Sequence, residues 1–179
     1  MFRDGPLRVR PPEEIRYGTG KCPLGSVLVA ASDKGIVSIM IRRKPADLLR
    51  DLRLQFPKAA LVRKENESSV ILRKVIAYVA GPFGRFKLPL DMRGTDFQKK
   101  VWRAVQEIPF GCTSTYSKIA EAIGAPKAIR AVASSCSRCG FAFAVPCHRV
   151  QHSAGANRAR DGRRYRWVAY EAKLNAKRL

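Results

Sequence analysis

Cys147 and His148 are adjacent in the chain, between Pro146 and Arg149. A thiol beside an imidazole is a minimal set for nucleophilic chemistry. A free thiol attacks poorly at neutral pH, because its pKa is roughly 8.5 and only a few per cent is thiolate. The imidazole can take the proton, or as a cation stabilise the thiolate. On its own, such a pair is more often a small buried hydrophobe next to a hydrogen-bonded histidine. What surrounds it decides. The apolar run from Phe141 to Val145 reads as a short buried strand. Pro146 cannot donate to a sheet ladder and ends it. Cys147 is then expected where a rigid element meets irregular chain, a usual place for a reactive side chain.

The segments before this strand would position the pair. Gly94, Thr95 and Gln98 mark a capped helix running to about Ile108, with Phe97, Val101, Trp102 and Val105 inward. Pro109 to Gly111 ends it. A short helix over 115–124 is stopped by Gly124, and Ala125 and Pro126 make a turn. A second short helix spans 127–136. Ala128, Ala131, Ala133 and Ser134 keep its surface thin, Arg130 is its long cation, and Tyr116 lies just before the first helix. Helix, turn, helix is a DNA-reading arrangement, but it is equally an ordinary helical hairpin. The charge favours DNA: Lys and Arg total 35 against 14 Asp and Glu, a net +21. Such an excess points to a polyanion.

Residues 1–20 carry several Pro and Gly and are expected to form an irregular arm. The β-branched runs 25–32 and 35–42, joined by Asp33 and Lys34, predict a hairpin. Pro45 opens a helix to about Phe56, and a charged loop follows. Ser68 or Ser69 caps a further helix through Tyr78, and Phe86 to Leu90 reads as an edge strand because of Pro89. Residues 1–90 thus form an N-terminal α/β domain, and 91–179 a mainly helical C-terminal domain. From Arg158 to Arg166 the chain is arginine-rich, which suits either a solvated tail or a phosphate-contacting segment. The five cysteines are odd in number and lack a disulfide-framework spacing. With no apolar leader and no run of ~18 apolar residues, a cytoplasmic protein with reduced thiols and no membrane partner is expected. Cys136 and Cys139 form a C-x-x-C, which leaves zinc binding or dithiol chemistry open.

Taken in order, Arg93-Gly94-Thr95 with Phe97-Gln98, Val101-Trp102, Ile108-Pro109 with Gly111, Thr115-Tyr116 with Ile119-Ala120, Ile123-Gly124 with Pro126-Lys127-Ala128, Arg130 to Ala133, and Pro146 to Val150 resemble the O6-alkylguanine-DNA alkyltransferases, and their bacterial Ada-like branch most. The match is dense over about 86–150. The resemblance implies an N-terminal domain of ribonuclease H-like shape and a helix-turn-helix domain carrying the reactive cysteine. It implies irreversible transfer of an alkyl group from guanine O6, and less readily thymine O4, to Cys147, with His148 helping to remove the thiol proton. Neither cofactor nor metal is implied, and the protein would act as a monomer on double-stranded DNA. DNA contacts would fall at Gln98, Tyr116, Ser117, Lys127, Arg130, Ala131, Ser134 and Ser153. Arg130 would fill the gap left by the damaged base, and Tyr116 would help rotate the nucleotide. The substrate pocket would comprise Tyr116, Val145, Pro146 and Arg149. Two positions depart from the family pattern. Cys139 stands where the family has a hinge asparagine, and Arg178 where it has the glutamate that holds the histidine. Glu171 is the nearest acid, but out of step with that position. On this pattern His148 lacks its usual carboxylate, so either arginines or Glu171 compensate in a working alkyltransferase, or the protein is a relative that binds alkylated bases with little or no transfer.

Overall fold

A computed structural model describes residues 13–81, 84–152 and 162–177. Strand β2 (Gly25–Ser32) sorts its side chains to two faces, as a pleated strand must. Val27 and Val29 enter one apolar cluster, Leu28 and Ala30 the other. Strand β3 (Gly35–Arg42) pairs antiparallel with β2, with a register shift at Ala30/Ala31. That irregularity puts Ile36, Ile39 and Ile41 together in the larger cluster, with Val37 and Met40 behind. The two-residue turn at Asp33 and Lys34 is as expected. Strand β1 (Glu14–Cys22) pairs antiparallel with β2 and parallel with β4 (Ala60–Arg63). The mixed sheet runs β3-β2-β1-β4.

Helix α1 (Pro45–Gln55) covers one face through Leu48 and Leu52. Helix α2 (Glu65–Ala80) covers the other through Val75 and Val79. The second half of the chain completes that larger cluster with Val101, Trp102, Val105, Ile119, Val132 and Phe141. Its helices are α3 (Asp96–Gln106), α4 (Tyr116–Ala122), α5 (Ile129–Ser137) and α6 (Gly162–Ala176). A short parallel pair, β5 (Ser114–Thr115) with β6 (Val150–Gln151), ties the start of α4 to the chain after Cys147.

Five expectations need correction. Helix α2 starts at Glu65 with Lys64 at its N-cap, one turn before the expected Ser68 or Ser69 cap. Of the stretch 1–20 expected to be an irregular arm, residues 1–12 lie outside the described residues, and from Glu14 the chain is strand β1. Gly18 and Gly20 had read as loop, yet a Cβ at Gly20 would stand 3.0 Å from Ile76 Cδ1, so that glycine admits α2 close to the strand. The charged loop after α1 contains β4. Of 86–90, Leu90 alone bridges to the sheet, at Ile36. The run 141–145 is buried but is not a strand. Phe141 bridges to Ile39, and the chain then folds into tight turns closed by Ala144 N to Ala142 O (2.8 Å) and Val145 N to Phe141 O (3.0 Å). An apolar run shows burial and leaves backbone path undecided.

Candidate active site

Each wall of the site is fixed by a local feature of sequence. Thr95 and Gln98 form a reciprocal capping box that starts α3. Trp102, one turn further, donates from Nε1 to the Ser135 carbonyl at 3.0 Å and so holds α5. Thr115 caps α4 by accepting from the Lys118 N–H at 3.2 Å, which sets Tyr116 at the first helical position, buried. Gly124, at φ +74, turns the chain between α4 and α5. Past α5, Gly140 approaches the sheet edge. The Ile39 N–H donates to its carbonyl at 2.8 Å, and the Ala142 N–H donates back to Ile39 at 3.0 Å. Edge strand β3 thereby anchors the chain that leads into Cys147.

Phe143 adopts φ +62, the left-handed region, which a bulky residue enters only under constraint. The constraint is aromatic. Its ring lies 4.7 Å from that of His148 and 5.1 Å from that of Trp167. Cys147, His148 and Arg149 follow as a single 3-10 turn, all buried.

His148 Nε2 lies 2.8 Å from Glu171 Oε1. An ionised carboxylate only accepts, so Nε2 carries the hydrogen and Nδ1 is left as the basic nitrogen. Arg149 grips the same carboxylate, Nε to Oε2 at 2.9 Å and Nη2 to Oε1 at 2.8 Å, and its Nη1 donates to the Ile108 carbonyl at 2.8 Å. Burial alone would raise the Glu171 pKa. Hydrogen bonds from His148 and Arg149 outweigh it and hold the carboxyl below its ordinary range. The family spacing leaves His148 without its carboxylate, and of the two ways to compensate the contact is with Glu171. Glu171 supplies it from α6, although Arg178 itself lies outside the described residues. Spacing could have revealed this. Trp167, Tyr170, Glu171 and Leu174 follow the i, i+3, i+4, i+7 pattern of one helix face, and the acid on that face is the one that must turn inward.

The Cys147 thiol is within hydrogen-bonding reach of Cys136 and Cys139. Those contacts, together with burial, push it well above the ordinary cysteine value, so at rest the sulfur keeps its proton. Cys147, His148, Tyr116 and Val145 line one cleft of about 580 Å³, with Cys136, Cys139 and Trp167. Pro146 and Arg149 line a different cavity, beside Phe110 and Tyr78. Arg149 touches the Glu171 carboxylate that His148 also holds. Lys127, Arg130, Ala131 and Ser134 are exposed along one stretch of chain. Ser117 pairs its hydroxyl with Thr115 at 2.9 Å, and Gln98 is engaged in its capping box. Ser153 lies outside the described residues. Between Glu121 and Asp161 the chain holds no acidic residue, so nothing acidic within that segment offsets the cations around the site. Among the described residues no group of three or more His, Cys, Asp or Glu is arranged to hold a metal ion, and no helix is long and apolar enough to cross a membrane.

The family model described as "6-O-methylguanine DNA methyltransferase, DNA binding domain" matches residues 96–176. The methylated-DNA–protein-cysteine methyltransferase of Methanosarcina barkeri is 39% identical over 140 residues, which is 78% of this chain and 84% of that protein. The bifunctional transcriptional activator/DNA repair enzyme Ada of Escherichia coli is 40% identical over 161 residues, or 89% of this chain. The chain spans only 44% of Ada's length. Among solved structures, Mycobacterium tuberculosis OGT in complex with DNA superposes with a TM-score of 0.71 at 29% identity, covering 90% of this chain and 94% of that one. The architecture is that α/β fold, with a small mixed sheet and, among the described residues, six α-helices. The chain belongs to the methylated-DNA–protein-cysteine methyltransferase family.

Proposed function

We propose that this protein repairs double-stranded DNA by moving the alkyl group of O6-alkylguanine, and less readily of O4-alkylthymine, irreversibly onto Cys147. One observation carries the proposal: the Cys147 thiol faces a cleft beside an imidazole whose far nitrogen is fixed on a buried carboxylate. A sulfur so buried cannot reach a base inside the duplex, so the damaged nucleotide must leave the stack, at a cost of a few kcal/mol. Helices α4 and α5 would serve as a helix-turn-helix, with the thin face of α5 against the minor groove. Arg130 filling the vacated space offsets part of the unstacking. Tyr116, at the start of α4, would press on the backbone and rotate the nucleotide into the cleft.

In the cleft, His148 Nδ1 takes the thiol proton, directly or through a water. The sulfur attacks the alkyl carbon as the carbon–O6 bond breaks. The bonding pair stays on the base, which recovers a proton from the imidazolium. Glu171 stabilises that imidazolium and fixes its orientation. Because the resting thiol is protonated, proton removal belongs to the reaction step, and this gives the imidazole its purpose. The thioether is stable, so each molecule reacts once.

The remaining assignments rest on the family resemblance and on composition. Residues 1–90 would be a ribonuclease H-like supporting domain and 91–179 the acceptor domain, in a monomer working in the cytoplasm. A relative that binds lesions without transfer was favoured by a histidine without a carboxylate, and Glu171 removes that ground. The test is stoichiometric. A duplex containing one O6-methylguanine, in excess, should lose one methyl group per protein molecule and no more, and the Cys147→Ala variant should remove none. Turnover beyond one equivalent, or transfer by the variant, would overturn the proposal.

A further inference from the structure

Three thiols meet in the cleft, and the repair reaction uses one. Cys136 sits in the last turn of α5, fully buried. Cys139 lies one residue past the helix cap Arg138, in non-helical chain, and is half-buried. Both are within hydrogen-bonding reach of Cys147, and all three line the same cavity. The cluster does not form a metal site among the described residues. A thiol cluster without a metal has another chemistry, the exchange of two thiols for a disulfide.

We propose that Cys139 and Cys147 are a redox pair that closes to a disulfide when the protein meets a peroxide and reopens with a thiol reductant. The choice of Cys139 over Cys136 is geometric. A disulfide needs Cβ atoms within about 3.5–4.5 Å and a specific torsion, so one backbone must adjust. Helical hydrogen bonds pin Cys136, whereas Cys139 lies beyond the helix, next to Gly140. Cys139 is also the more exposed of the pair, so oxidant enters there. Its thiolate attacks peroxide, becoming a sulfenic acid and releasing hydroxide. The Cys147 sulfur then displaces the sulfenic oxygen, the S–S bond forms, and the Cys147 proton leaves with that oxygen as water. Two thiols lose two electrons and the peroxide gains them. The position is informative, because Cys139 replaces the hinge asparagine that the family resemblance leads one to expect. The disulfide would protect the acceptor from irreversible oxidation and take it out of use until reduced. That consequence rests on the proposed repair function, whereas the disulfide itself does not.

The sequence makes the test direct. Arg138 and Arg149 bound a tryptic peptide, 139–149, that contains both Cys139 and Cys147, while Cys136 falls in the peptide 131–138. The full chain is treated with hydrogen peroxide without DNA, alkylated and digested without reductant. The expected product is peptide 139–149 lighter by two hydrogens, unalkylated, and restored by dithiothreitol. Cys139→Ser should abolish it and leave Cys147 open to sulfinic acid formation, while Cys136→Ser should leave it intact. A Cys136–Cys147 linkage between the two peptides overturns the proposal. So does sulfinic or sulfonic acid at Cys147 in the unsubstituted protein, or an unmodified Cys147 under peroxide that oxidises the exposed Cys112. If the disulfide forms but neither redox state accepts methyl groups, the repair function fails and the redox pair stands.

Discussion

Removing Glu171 should separate two roles that share one carboxylate. Its hydrogen bonds are 2.8 Å from His148 Nε2 and 2.9 and 2.8 Å from the two Arg149 nitrogens, all buried. In Glu171→Ala, Arg149 keeps its bond to the Ile108 carbonyl but its charge is left uncompensated in the interior. Breaking a buried pair from one side costs about 3–5 kcal/mol. In a chain of this size that lowers Tm by roughly 6–20 °C. The histidine also loses the acceptor that fixes its tautomer, and methyl transfer should fall by about 10²–10⁴-fold. The double variant Glu171→Met with Arg149→Met removes the stranded charge and fills the space. Stability should then return to within about 1 kcal/mol of the starting protein, because apolar replacements of a buried pair are often neutral. Transfer should stay low, because the imidazole still lacks its carboxylate. Thermal unfolding and the single-turnover rate on an O6-methylguanine duplex read the two roles separately. A double variant that transfers at the original rate would falsify the part assigned to Glu171.

Acidification tests the same contact. The folded carboxyl holds its proton less readily than the unfolded one, so its contribution is complete above the ordinary carboxylate range near ~4.3 and fades as pH falls through the folded value. The stability gap between the unsubstituted protein and Glu171→Ala should therefore narrow on acidification, and a constant gap would contradict it. Arg130→Ala should slow transfer from duplex by roughly 5–30-fold, the equivalent of 1–2 kcal/mol of lost gap filling, and leave transfer from the free modified base unchanged. Equal losses on both substrates would place Arg130 in the chemistry. Trp102→Phe removes the 3.0 Å bond to the Ser135 carbonyl and should cost about 1–2 kcal/mol in thermal unfolding. Because the Cys147 thiol is pushed up, its iodoacetamide reaction without DNA should keep rising with pH beyond the ordinary thiol range. A plateau at neutral pH would show a preformed thiolate.

The parts of this molecule that were legible in its sequence are those set by short-range chemistry. Thr95 and Gln98 announce the start of α3, Asp33 and Lys34 the β2–β3 turn, and Gly124 the end of α4. Each is a local rule that tertiary packing has no reason to override. What escaped depended on distant partners. Gly20 reads as a loop residue until α2 lies across it. The run 141–145 reads as a strand until Gly140 and Ala142 are found bound to the edge of β3, followed by turns. Glu171 stands out of step with the family spacing, which leaves it one candidate beside the arginines until its partners are in place. The helix face that carries Trp167, Tyr170 and Leu174 is what points to the acid. Cys139 was visible as a departure, but its nearness to Cys147 arises only when α5 and the 3-10 turn are brought to one cleft.

The most direct measurement follows the transferred carbon. After reaction with a duplex whose O6-methylguanine carries an isotopically labelled methyl group, the peptide 139–149 should gain one labelled methyl, and fragmentation should place it on Cys147. A label on Cys139, on Cys136, or on no cysteine at all would contradict the role assigned to the Cys147 sulfur.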